Sequence, residues 1–300
     1  MIAVTILGNN SALPAHGRHP TAQIVQTRNH TFLVDCGEGT QLQMSEYRIK
    51  RSRIDHIFIS HLHGDHYFGL IGLLTSFGLN NREHDLHVYS PEGLEPIMLM
   101  QLPASHTLLP YRIYFHTLKE EGLLFEDDHL SISCFKVNHK IECYGFLFEE
   151  KAHHRKLNAE AVKHFNVPYE FYESLQEGKD FVTPEGKVIP NVTLTLDPKP
   201  GRKYAYCADT IYYEPICKHI EGADLIYHEA TYMKDEEERA RARYHSTTID
   251  AAHIARKANV GKLLIGHFSS RYENLAPLEN EARQVFANCE AAIEGTCYMV

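Results

Sequence analysis

The chain has 300 residues, 43% hydrophobic and 23% charged, enough to bury a sizeable core in one large domain. No apolar run approaches the ~20 residues that cross a bilayer, and the start, MIAVTILGNNSALP, shows neither a basic leader nor a small-residue cleavage site. A cytoplasmic globular protein without membrane partners is expected. Thirty Lys/Arg against 39 Asp/Glu give a net charge of −9. That balance argues against coating nucleic acid by bulk charge, though metal ions or a small basic patch still permit a local RNA site.

Ile2–Leu7, Ala22–Gln26 and Thr31–Val34 read as strands, the last running into the turn Asp35-Cys36-Gly37-Glu38-Gly39. A helix is expected near Thr40–Tyr47. Ile54–Ser60 is a buried-strand pattern, and Gly69–Phe77 is an apolar, helix-like stretch. Strands are expected again at Leu86–Tyr89, Ile113–Thr117 and Ser131–Val137. Apolar runs at 204–208, 224–227 and 262–265 each end at a polar residue.

Residues 151–203 differ. They are rich in Pro and charge, with little apolar periodicity. Nine Lys/Arg (Lys151, Arg155, Lys156, Lys163, Lys179, Lys187, Lys199, Arg202, Lys203) face seven Asp/Glu, a balance of +2 against −11 for the remainder. The stretch reads as an inserted arm rather than part of the core. The seven cysteines are scattered, odd in number and never spaced as CxxC. A disulfide framework and a thiolate zinc site are both disfavoured, and reduced thiols fit a cytosol.

Histidine, at 21 residues, is the anomaly, and it clusters. Ser-His-Leu-His-Gly-Asp-His follows the strand Ile54–Ser60 and places His61, His63, Asp65 and His66 within six residues. On extended chain, positions i and i+2 point the same way, so His61 and His63 can share one ion. Gly64 permits a sharp turn; Asp65 and His66 then open a helix and splay toward a second ion or a bound water. Imidazole and carboxylate donors suit zinc, with manganese or iron as alternatives. Two ions ~3.5–4 Å apart form a clamp for hydrolytic displacement at phosphorus or carbonyl centres. Further ligands have to come from other strand ends: His139 after ISCFKVNH, Asp209 after YAYCAD, and His267 after LLIGH.

HLHGDH with later His, Asp and His at strand ends resembles the metallo-β-lactamase fold. That resemblance implies an α/β, four-layer αββα sandwich with metals at one edge. His228-Glu229-Ala230-Thr231 after ADLIYHEAT, Tyr244-His245-Ser246-Thr247-Thr248, the glycine-led GNNSALP, FEDDHL and HFSSRY narrow it: together they resemble the ribonuclease Z family. The likeness runs the length of the chain and implies one metallo-β-lactamase domain over 1–300, with an inserted flexible tRNA-binding arm at about 151–203. It implies two zinc ions per subunit, one held by His61, His63 and His139, the other by Asp65, His66 and His267, with Asp209 bridging. It also implies that Asp65 activates the attacking water and that His245, oriented by Glu229, protonates the departing oxygen.

The implied reaction removes 3′ trailers from precursor tRNA by in-line attack of activated water after the discriminator nucleotide. The products are a tRNA 3′-hydroxyl and a trailer 5′-phosphate. A homodimer is implied, one subunit's arm clamping the tRNA that the other cuts, and no DNA partner is expected. Where the family arm carries Gly-Pro and a lysine-rich tip, this chain has Val167-Pro168-Tyr169-Glu170-Phe171-Tyr172. Arg18, in the loop Pro14–His19, is the candidate for contact with the RNA 3′ end. Two alternatives compete. A small-molecule phosphodiesterase or other hydrolase of the same fold has no use for a tRNA-sized arm. A non-catalytic RNA-binding member generally loses ligands that this chain keeps.

Overall fold

Short strands of branched and aromatic residues build two sheets, each seven-stranded among the described residues. The computed structural model describes residues 1–151, 154–198 and 200–300. Lys199, counted above among the arm's basic residues, lies outside the described residues. The chain divides into two compact units: Met1–Glu126, Ser131–Glu149 and Arg202–Val300 form one, and Asp127–Leu130 with Glu150–Gly201 the other.

In the larger unit the first sheet runs Cys297–Met299, Ala3–Gly8, Ala22–Gln26, Thr31–Val34, Ile54–Phe58, Leu86–Ser90, Ile113–Thr117. Pairing is parallel from Thr31–Val34 onward. The second runs Cys289–Ala291, Lys262–Gly266, Leu225–Glu229, Lys203–Cys207, Tyr144–Glu150, Leu130–Lys136, Gly122–Glu126. Its first four strands are parallel, and Lys203–Cys207 pairs antiparallel with Tyr144–Glu150. Parallel pairing aims the carboxyl ends of neighbouring strands at one edge, where ligands gather in sheets of this kind.

Alternation along each strand decides the layers. Phe32 meets Phe148 with ring centroids 5.6 Å apart, and Phe58 meets Phe146 at 5.3 Å, closing the space between the sheets. On the outer face of the first sheet, Leu33, Ile57 and Val88 pack with Leu70, Leu73, Leu74 and Phe77 of the helix Leu70–Leu79. On the outer face of the second, Ala205, Ile226 and Leu263 pack with Ala251, Ala252, Ile254 and Ala255 of the helix Thr248–Lys257. The order is helix, sheet, sheet, helix, the αββα sandwich expected. No helix among the described residues is long and apolar enough to cross a membrane.

Strands Ala22–Gln26, Thr31–Val34 and Ile113–Thr117 fall where the sequence puts them. Ile54–Ser60 is cut short at Phe58 because the Ser60 N–H leaves the ladder and donates to Asp35 Oδ1 at 2.7 Å. The helices Leu94–Ala104, Thr248–Lys257 and Ala276–Arg283 and the strand Tyr144–Glu150 go beyond the sequence reading.

The smaller unit has a core of its own, made of Val162, Val167, Leu175, Phe181, Ile189 and Leu194. Its elements are only a few residues long, so no apolar period develops along the chain. Asn191 ties it together, donating from Nδ2 to the carbonyls of Leu175 at 2.8 Å and Lys179 at 2.9 Å. The charge balance read from 151–203 changes sign on these bounds. Arg202 and Lys203 belong to the larger unit, and the smaller one holds seven Lys/Arg against ten Asp/Glu, a net of −3.

Gly69 sets the distance between the turn after Thr31–Val34 and the helix Leu70–Leu79. A Cβ there would lie 2.1 Å from the Gly37 carbonyl oxygen. Backbone cannot retreat as a side chain does, so Gly69→Ala is expected to destabilise by ~1–3 kcal/mol. Urea unfolding reads this as a lower midpoint with unchanged slope; an unmoved midpoint contradicts it.

Candidate metal centre

The strand ends converge. After Ile54–Phe58 the chain stays extended through His61 and His63, then turns at Gly64 into the short helix Gly64–Tyr67 that carries Asp65 and His66. His139 follows Leu130–Lys136, Asp209 follows Lys203–Cys207 and His267 follows Lys262–Gly266. All seven residues named from the sequence as ligands meet here, in two groups that a third, Asp209, His245 and His267, joins. His61, His63, His139 and Asp209 form one; Asp65, His66 and His267 form the other.

Distances sort the donor atoms. His61 Nε2 and His139 Nε2 lie 3.0 and 3.2 Å from His63 Nδ1, and 3.5 and 3.8 Å from Asp209 Oδ2. On the other side His66 Nε2 and His267 Nε2 are 3.3 Å apart and lie 3.5 and 3.3 Å from Asp209 Oδ1. Asp65 Oδ2 is 3.6 Å from His66 Nε2 and 3.3 Å from His267 Nε2. Asp209 thus faces one oxygen to each group. It is 2% exposed, and its Oδ1 has no hydrogen-bond partner among the described residues. Imidazole nitrogens and carboxylate oxygens at this spacing, with an orphaned buried oxygen between them, fit divalent metal ions.

Electrostatics agree. Burial holds the imidazoles of His61, His63 and His139 below their ordinary pKa, which keeps them neutral and able to donate lone pairs. Burial acts the same way on His66, but Asp209, Asp35 and Asp65 outweigh it and hold its pKa well above the usual value. Burial alone would raise the carboxyls of Asp65 and Asp209; neighbouring imidazoles instead hold both well below the usual range. The proton kept on His66 compensates surrounding carboxylates, a part that a bound cation takes over.

Four of the five imidazoles are oriented from behind. His66 Nδ1–H donates to Asp35 Oδ2 at 2.7 Å, and His139 Nδ1–H to the Tyr244 carbonyl at 2.8 Å. His61 Nδ1 lies 3.0 Å from Ser60 Oγ, and His267 Nδ1–H donates to Thr231 Oγ1 at 2.9 Å. Asp35 is wholly buried and also accepts from Ser60 Oγ at 2.9 Å and Tyr206 OH at 2.6 Å. Its place is not among the residues read from the sequence. The rule that singled out Asp209, a carboxylate just past an apolar strand, applies to Asp35 after Thr31–Val34 and is the signal that finds it.

Beside the cluster, His245 Nδ1–H donates to Glu229 Oε1 at 2.9 Å, and the same nitrogen is 4.0 Å from Asp209 Oδ2. Glu229 ends a parallel strand and is fully buried. It also accepts the backbone N–H groups of Thr210 at 3.0 Å, Ser246 at 3.1 Å and Thr231 at 3.1 Å. Thr247 caps the helix Thr248–Lys257 in a reciprocal box with Asp250, which anchors the segment carrying His245. Burial works against charge on His245, but Glu229, with Asp209 and Asp65, brings its pKa up to about 9.

His63, Asp65, Asp209, His245 and His267 open on a cleft of ≈ 360 Å³ also lined by Ser11, Phe68 and Arg243. The Ala12 N–H donates to Asp65 Oδ2 at 2.7 Å, giving the GNNSALP loop a part in the site. Arg18 does not line this cleft. Its guanidinium clamps the loop, donating to Asn10 Oδ1 at 3.1 Å, the Glu273 carbonyl at 3.0 Å and the Tyr272 carbonyl at 2.5 Å. Three of its five N–H donors are spent on this loop and its neighbours, which gives Arg18 a structural part there.

A family profile described as anti-Pycsar protein Apyc1 matches residues 2–162. Ribonuclease Z of Bacteroides thetaiotaomicron is 46% identical over 297 residues, covering 98% of this chain and 94% of that one. Ribonuclease Z of Bacteroides fragilis is 45% identical over 294 residues, covering 97% of each. Among solved structures, human tRNase Z, short form, is similar with a TM-score of 0.73 at 25% identity, covering 99% of this chain and 98% of that one.

Removing the charge behind His66 tests the centre without touching a ligand. Asp35→Asn is expected to weaken metal binding ~10–100-fold, measured by competition with a chromogenic chelator. Affinity equal to that of the unaltered protein contradicts the role given to Asp35.

Proposed function

The chain belongs to the ribonuclease Z family and, through residues 2–162, to the family described as anti-Pycsar protein Apyc1; on that premise we propose how its residues cut the trailer from a tRNA precursor. The protein is a tRNA 3′-processing endoribonuclease, a phosphodiester hydrolase. His61, His63 and His139 would hold one zinc ion and Asp65, His66 and His267 a second, with Asp209 shared between the two groups; manganese or iron suits the same donors. When bound, two such ions supply Lewis acidity, making water a nucleophile at neutral pH and neutralising charge on phosphoryl oxygens.

The chain's own groups handle the protons. Asp65 Oδ2 accepts from the Ala12 N–H, while Oδ1, without a hydrogen-bond partner among the described residues, takes the proton of the attacking water. His245 spends Nδ1–H on Glu229, which leaves Nε2–H for the 3′-oxygen that departs from phosphorus. With its pKa at about 9, His245 is a protonated donor at neutral pH. Arg243 and the exposed ring of Phe68 line the cleft, one suited to a phosphate and the other to a base. The observation that carries this reading is the hydrogen-bonded His245–Glu229 pair, with His245 Nδ1 4.0 Å from Asp209 Oδ2.

The unit Glu150–Gly201 with Asp127–Leu130 serves as the arm that holds the tRNA body, and the protein works as a homodimer in the cytoplasm. All seven cysteines are free thiols, as a reducing compartment requires. Light scattering on the eluting protein tests the dimer, and a monomer mass refutes it.

A labelled tRNA precursor, incubated with metal-loaded protein, is expected to yield one cut after the discriminator nucleotide. Chelator and Asp65→Ala should each abolish it; no cut by the loaded protein, with turnover of a small phosphodiester, would replace this reading by a small-molecule hydrolase. Glu229→Gln is expected to slow cleavage ~10²–10⁴-fold. The sign of its pH effect follows from the raised pKa of His245: the protonated donor is present below about 9 and is lost as pH rises through it. Without the Glu229 charge that alkaline limb moves to lower pH, and an unmoved limb contradicts the pairing.

A further inference from the structure

Thr231 holds two parts of the site with a single hydroxyl. It is 2% exposed, and its Oγ1 lies 2.8 Å from Glu229 Oε2 and 2.9 Å from His267 Nδ1. A hydroxyl has one proton to give and two lone pairs with which to accept. Glu229, held ionised, can only accept from it, so the proton goes to the carboxylate and the His267 Nδ1–H donates back to the oxygen. This fixes the His267 tautomer. Nδ1 carries the proton, and the Nε2 lone pair faces Asp65, His66 and Asp209, each 3.3 Å away in the case of Asp65 Oδ2, His66 Nε2 and Asp209 Oδ1.

Glu229 is divided in the same way. Oε1 serves His245 at 2.9 Å, and Oε2 serves the Thr231 hydroxyl and backbone N–H at 2.8 and 3.1 Å. One buried carboxylate therefore stands behind both the imidazole beside the scissile bond and, through one hydroxyl, the imidazole at the Asp65/His66 group. We propose that Thr231 is a positioning residue: it relays Glu229 to His267, setting the tautomer and basicity of a metal-facing imidazole, and keeps the carboxylate in the orientation that His245 needs. This rests on the nuclease reading only in its kinetic arm. Carboxylates that orient metal-facing histidines recur as direct partners, whereas here the hydroxyl is interposed and the carboxylate is shared.

Thr231→Val removes the hydroxyl and keeps the shape; Thr231→Ser keeps the hydroxyl and removes the methyl. The first reading is zinc affinity of purified protein by chelator competition, without RNA. Thr231→Val is expected to bind the ion of the Asp65, His66 and His267 group ~10–100-fold less tightly, and Thr231→Ser within about twofold of wild type. The second reading is steady-state cleavage of precursor tRNA, where Val should lower kcat with KM little changed and Ser should restore it. Val behaving as wild type in metal affinity overturns the relay, and so does Ser failing as Val does, which assigns the site to methyl packing. Should Val not fold by circular dichroism, Thr231→Ser and Thr231→Cys decide: the weak thiol donor must lose affinity that the hydroxyl retains. Wild-type protein that binds zinc but leaves precursor tRNA intact removes the nuclease reading while the affinity arm still judges Thr231.

Discussion

A carboxylate taken wholly out of water has to be compensated, because the penalty for burying an ion remains several kcal/mol even after the surroundings relax. Asp209 is such a group, and it is not alone: Asp35 and Glu229 are fully buried around it, and Asp65 nearly so. Imidazoles alone cannot settle this charge while also staying neutral enough to act as ligands. His61, His63 and His139 are held neutral, and the proton is kept on His66 and, beside the cluster, on His245. The surplus of negative charge favours a bound cation. It also ties function to the fold, since the donors reach one another only when four strand ends from two sheets arrive at the same edge.

Four of the ten non-glycine residues with positive φ among the described residues lie at this edge. Ala12, Asp35, Tyr244 and His267 are non-glycine residues in the left-handed region, with φ of 55°, 55°, 60° and 59°. Such conformations cost on the order of 1–3 kcal/mol each and persist only where the surroundings over-determine them. Here each one sets a donor. The bend at Asp35 turns its carboxylate behind His66, that at His267 swings the ring out of its strand, and those at Ala12 and Tyr244 present an N–H to Asp65 and a carbonyl to His139. Rigidity comes from the aromatic layer between the sheets, whose rings interlock just behind these turns.

Most of the centre was legible because metal ligands obey short-range rules. His61, His63, Asp65 and His66 sit within six residues after a buried strand, and a polar residue ending an apolar run marks His139, Asp209 and His267. What lies behind the ligands was harder to see. Asp35 looked like part of a glycine turn, and Thr231 like the last letter of a motif, since their value lies in partners 31 and 36 residues away. Arg18 shows the converse: an arginine in a loop reads as a substrate contact, and its bonds to the carbonyls of residues 272 and 273 are invisible in the sequence. The arm's positive balance dissolved because Arg202 and Lys203 belong to a core strand and its approach. Strand Tyr144–Glu150 escaped notice although Tyr144, Phe146 and Phe148 alternate inward along it, its polar end blurring the pattern.

The bridged pair of ions is the claim on which the rest depends, and anomalous diffraction at the zinc edge from zinc-loaded crystals tests it most directly. Two peaks are predicted, one among His61 Nε2, His63 Nδ1 and His139 Nε2, the other among Asp65, His66 Nε2 and His267 Nε2, with the Asp209 carboxylate between them. A single peak, or zinc held away from these atoms, contradicts it.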